Sequence, residues 1–113
     1  MIFVHESQQQ LSYTALVTQL SAALTYVSGI RPANPPYDAP VGATLGHGVA
    51  LVPRADTLEV RCYVIIDPRV GVSVLTHSMQ VKTLVSSIIE RVSPRDVTVF
   101  VIVCDVQTQG THA

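Results

Sequence analysis

The sequence predicts an α+β domain in which two helices pack on one face of a small three-stranded mixed sheet, in the order α-β-β-α-β. Three observations carry this prediction. Leu58–Asp67 and Val97–Gln107 alternate apolar side chains with the period of a strand. Two other stretches repeat apolar residues at helical spacing. Gly and Pro clusters separate these segments. With 113 residues, one domain spanning 1–107 is expected. That length buries a core without disulfides or metals. Residues 108–113 read as a disordered tail.

Taken in order, Ile2–Val4 is a short apolar stretch, read as either a brief edge strand or a frayed end. As a strand it would add a fourth to the sheet. The first helix is expected from about Gln9 to Val27, with Leu16, Leu20, Ala23 or Leu24, and Val27 on its apolar stripe. Ser7 is its candidate N-cap, and Ser28-Gly29 its stop. Arg31–Gly46 reads as a loop, because Pro32, Pro35, Pro36 and Pro40 forbid regular structure. Tyr37 is its sole aromatic residue and is read as packing the loop down.

His47–Val52 is the first strand, and Pro53–Asp56 turns the chain into the second. Leu58, Val60, Cys62, Val64 and Ile66 share one face of that second strand, with Tyr63 and Ile65 on the other. Pro68 cannot donate to a ladder and ends it. The second helix is expected over Ser73–Val92, striped by Val74, Val81, Val85, Ile88 and Val92 and widened by Leu84 and Ile89. Ser93-Pro94 stops it. In the last strand Val97, Val99, Val101 and Val103 alternate with Phe100, Ile102 and Cys104.

This arrangement leaves one sheet face without a helix. Tyr63, Ile65, Phe100 and Ile102 are its apolar residues, and they form the expected interaction face. Charged residues are 13% of the chain, against roughly 25% in typical soluble proteins, which points to surface covered by a partner. The expected partner is a second copy of the chain. The alternative is a small nucleic-acid-binding domain stacking bases on Tyr63 and Phe100. A net charge of −1 and dispersed arginines argue against it.

No catalytic, cofactor-binding or metal-binding residue is assigned, and no enzyme is expected. His5, His47, His77 and His112 lack metal-ligand spacing, and His47 and His77 read as surface residues. The acidic residues scatter over turns and strand ends. No nucleophile elbow or phosphate loop is present. Cys62 and Cys104 read as small buried apolar residues. No secretory signal and no apolar run of membrane-spanning length is read, so a cytoplasmic location is expected.

Several motifs resemble the alkaline-shock-protein family, the envelope stress response proteins of bacteria. They are the helix exit Tyr26-Val27-Ser28-Gly29-Ile30, the strand opening His47-Gly48-Val49, and the valine-rich Val60–Ile66. Val70-Gly71-Val72 before the second helix, Gln80-Val81 within it, and the closing Asp96–Val101 strand complete the likeness over about residues 10–107. Arg69 stands where the family has an aromatic residue, and its lysine-rich, acidic character is missing. The resemblance implies a non-enzymatic protein supporting cell-envelope homeostasis. It further implies self-assembly and attachment to the inner face of the membrane through a membrane-anchored partner.

Overall fold

The computed structural model describes residues 2–34, 40–67, 73–91 and 96–107, with side chains from residue 13 onward. Its elements are α1 (Ile2–Leu24), β1 (Ile30–Pro32), β2 (Thr44–Gly46), β3 (Val49–Pro53), β4 (Thr57–Ile66), α2 (Val74–Glu90) and β5 (Asp96–Val106). The sheet has five strands rather than three, and the order is α-β-β-β-β-α-β. The expected loop Arg31–Gly46 carries both extra strands at its ends. Each is three residues long, too short to show a period; β1 forms because distant β4 supplies its hydrogen-bond partners, and β2 because β3 folds back on it across His47-Gly48.

The first helix also differs from expectation. It runs from Ile2, so Ile2–Val4 is helical and neither a strand nor the position of Ser7 marks its start. Residues 2–24 contain neither Gly nor Pro, and a helix once nucleated extends through such a stretch. It ends in short bonds of 3.1 Å from Thr25 N–H to the Ala22 carbonyl and from Tyr26 N–H to that of Ala23. Gly29, at φ 79°, then turns the chain into β1. The expectations for Tyr37, Pro68, Val70–Val72, Val92–Pro94 and the 108–113 tail fall outside the described residues.

β4 is the central strand. β5 runs parallel along one whole edge, from Thr57 opposite Asp96 to Ile66 opposite Val106. Antiparallel β3 and β1 share the other edge end to end, β3 against Leu58–Cys62 and β1 against Val64–Ile66. β2 pairs outside β3. Tyr63 lies at the junction: its N–H donates to Gly48 O at 2.8 Å, and its carbonyl accepts from Ala33 N–H at 2.8 Å. Gly48 has φ 81°, and a Cβ there would collide with Pro32, so only glycine lets the two strand ends meet.

The core lies between the helices and the face of β4 carrying Leu58, Val60, Cys62, Val64 and Ile66. Val49 and Leu51 from β3 and Val99 from β5 share that face. Leu16, Val17, Leu20 and Leu24 of α1 and Val81, Val85 and Ile89 of α2 close over it. Ser73 caps α2, its hydroxyl accepting from Thr76 N–H at 3.1 Å.

His77 is buried rather than superficial. It stands one helical turn before Val81, at the head of the buried stripe. Its Nδ1 lies 3.0 Å from the Ser73 carbonyl, and a carbonyl only accepts, so Nδ1 carries the proton. Burial therefore does not leave this nitrogen without a partner.

Candidate functional site: the helix-free face of the sheet

The alternation that sends even-numbered β4 residues into the core sends Glu59, Arg61, Tyr63 and Ile65 to the opposite face. The parallel register brings Thr98 beside Glu59, Phe100 beside Arg61 and Ile102 beside Tyr63. All four residues of the expected interaction face therefore lie on one side of the sheet. Their exposure differs. Phe100 is 47% exposed, whereas Tyr63 is only 3% exposed and belongs to the interior. Ile65 and Ile102 are half-buried.

A register shift between Val64 and Ile65 changes the far end of this face. Val64 stands opposite Val103, but Ile65 stands opposite Asp105, leaving Cys104 as the extra residue of a bulge. Cys104 is exposed rather than buried, and Asp105 takes the place beside Ile65 that strict alternation assigns to it. Cys62, by contrast, is enclosed in the core, and burial pushes its thiol up to about 12.

The sequence reading missed the polar part of the site. Arg61 Nε donates to Glu59 Oε2 at 2.6 Å, and an Arg54 Nη donates to Glu59 Oε1 at 3.3 Å. Burial pushes the Glu59 carboxyl up, but the hydrogen bond and charge of Arg61, with those of Arg54, outweigh this and hold it below its ordinary range. Glu59, hydrogen-bonded to the Arg61 guanidinium, and the Tyr63 hydroxyl near it hold the guanidinium above its own. The signal was the spacing Glu59-x-Arg61-x-Tyr63, which puts all three on one strand face. It stayed hidden because each residue alone reads as ordinary strand surface.

Three further residues complete the face. Ala50 and Val52 of β3 stand opposite Arg61 and Glu59 and are buried. Leu45 of β2 stands opposite Ala50 and is exposed. Leu45 fell within the expected loop, so no strand face could be assigned to it.

Glu59, Arg61, Phe100 and Ile102 line a shallow depression of about 250 Å³. Its charged groups are already paired with each other, and its remaining walls are apolar. Such a surface offers shape and apolar area. Its carboxylate is already engaged by two guanidinium groups. A larger depression of about 620 Å³ beside α2 is lined by Thr76, Met79, Gln80, Thr83, Leu84 and Ser87, none of which titrates near neutral pH. Among the described residues, no three His, Cys, Asp or Glu side chains gather as metal ligands. Nor is any described helix long and apolar enough to cross a membrane.

No family model, curated protein or solved structure matches this chain. The likeness to alkaline-shock proteins accordingly rests on the quoted motifs alone.

Proposed function

We propose that this chain is a non-enzymatic self-association module that binds a second copy of itself through the helix-free face of its sheet. The observation behind this reading is Phe100. It is a large aromatic side chain, 47% exposed, in a face whose neighbouring charges neutralise one another. Removing such a ring from water is favourable, and Arg61 beside it is paired with Glu59 through its Nε at 2.6 Å. The same face serves nucleic acid poorly. Tyr63 is too enclosed to stack on a base, and Arg61 is engaged by Glu59.

The setting in envelope homeostasis, with a membrane-anchored protein as second partner, is supported by the sequence resemblance and is part of the proposal on that basis. Light scattering over a concentration range tests the central claim. The wild-type chain is expected at dimer mass or above, and Phe100→Asp at monomer mass with an unchanged circular dichroism spectrum. An unchanged mass in the folded variant would overturn the reading.

A further inference from the structure

Among the described residues no strand pairs with the outer edge of β5, and the register fixes which of its backbone groups face outward. Tyr63 spends its N–H and carbonyl on Gly48 and Ala33, away from β5. Alternate residues turn their backbone groups to opposite edges, so those of Leu58, Val60, Cys62, Val64 and Ile66 turn toward β5. Gln107 N–H donating to the Ile66 carbonyl at 2.9 Å agrees with this. In a parallel ladder each such residue bonds to the residues before and after its opposite number. Val60, opposite Val99, therefore uses Thr98 and Phe100, and Cys62, opposite Val101, uses Phe100 and Ile102. Thr98, Phe100 and Ile102 are thus engaged with β4. Val97, Val99, Val101 and Val103 direct their N–H and carbonyl groups outward, where no strand pairs with them among the described residues.

An open edge is ordinarily guarded by charge, proline or brevity. Between Asp96 and Asp105 this edge has no charge and no proline. The segment Val97-Thr98-Val99-Phe100-Val101-Ile102-Val103 is also close to a mirror image of itself about Phe100. A two-fold antiparallel contact sets each position against its mirror position, so a strand of this kind is complementary to its own copy.

We infer that two copies of the chain pair edge to edge through β5, antiparallel, about a two-fold axis at Phe100. Val97 then faces Val103 of the other copy, Val99 faces Val101, Thr98 faces Ile102, and Phe100 faces Phe100. Every outward N–H and carbonyl of the four valines finds a partner. A centre at Val99 or Val101 leaves one terminal valine with no partner among these four. Residues of equal parity meet, so the helices of both copies lie on one side. The two helix-free faces then join into a single surface with the Phe100 pair at its middle. This inference rests on the self-association reading, but it moves the contact from stacked helix-free faces to the β5 edge, where the two faces meet only through the Phe100 pair.

Val101→Pro tests it, because proline removes an outward N–H and leaves the bonds to β4 untouched. Light scattering is expected to give dimer mass for the wild-type chain and monomer mass for folded V101P. A dimeric V101P beside a monomeric F100D would overturn the edge geometry and leave the self-association reading standing, as stacked faces. A monomeric wild-type chain would overturn both. Should V101P fail to fold, cysteine pairing in a Cys104→Ser background decides. Thr98→Cys and Ile102→Cys chains are expected to cross-link when mixed and not separately, and Phe100→Cys chains to cross-link alone. Absence of the mixed product would overturn the register.

Discussion

The two faces of β4 obey one alternation and reach opposite ends. Leu58, Val60, Cys62, Val64 and Ile66 meet both helices and are wholly enclosed. Glu59, Arg61, Tyr63 and Ile65 meet no helix-borne core residue, yet Tyr63 is nearly as buried as they are. One face is sealed by elements packed on it. The other encloses Tyr63 but leaves Phe100 47% exposed. Burial alone therefore does not mark the core. What differs is that the first face excludes water by apolar packing, and the second holds a hydrogen-bonded polar row across its centre.

The largest expected effect is on the helix-covered face. Leu58→Ala should cost about 3 kcal/mol, since truncating an enclosed leucine removes apolar burial and leaves a cavity. Urea unfolding measures it, and a loss below about 1 kcal/mol would mean that this face is not the packed one.

Cys62→Ser should cost about 2 kcal/mol, because it sets a hydroxyl among side chains that cannot accept or donate. The thiols sharpen the contrast further. In the native protein at pH 8, a thiol reagent should modify exposed Cys104 quickly and Cys62 only on unfolding, given the buried thiol raised to about 12.

The smallest effect belongs to the helix-free face. Glu59→Gln should cost no more than about 1 kcal/mol at neutral pH, because Arg54 is half exposed and solvent screens its share. Glu59 has a folded pKa below its ordinary value of 4.5, so its contribution is complete above that pH and is lost as pH falls through the lowered value. The wild-type chain should therefore lose stability relative to Glu59→Gln on acidification below pH 4.5. Parallel curves would show that the row contributes nothing.

Much of this was legible in the residues. Period-two alternation in Leu58–Ile66 and Val97–Val103 assigns each side chain a face, because a pleated strand allows no other arrangement. Alternation sets Tyr63 with Ile65 and Phe100 with Ile102, and the parallel register of β4 and β5 puts the two pairs on one face. The Val81, Val85 and Ile89 spacing similarly identifies the buried side of α2, and Gly29 supplies the positive φ at which the chain leaves α1.

Other features exist only through contacts that no single segment makes alone. β1 is a strand because distant β4 completes its hydrogen bonds, and β2 because β3 folds back on it across His47-Gly48; three residues carry no periodic signal of their own. His77 is interior because its helical position outweighs its polarity once the Ser73 carbonyl accepts the hydrogen bond from its Nδ1–H. Tyr63 is buried on β4, whose backbone there meets both β1 and β3, while Phe100 remains exposed on β5, whose outer edge no strand pairs among the described residues, although both are aromatic residues at equivalent alternating positions. The sequence by itself determined which way each side chain points along Leu58–Ile66 and Val97–Val103, since that follows from local backbone geometry up to the bulge at Cys104. Only the tertiary structure decided which of those side chains meets water, since that depends on what the rest of the chain brings against it.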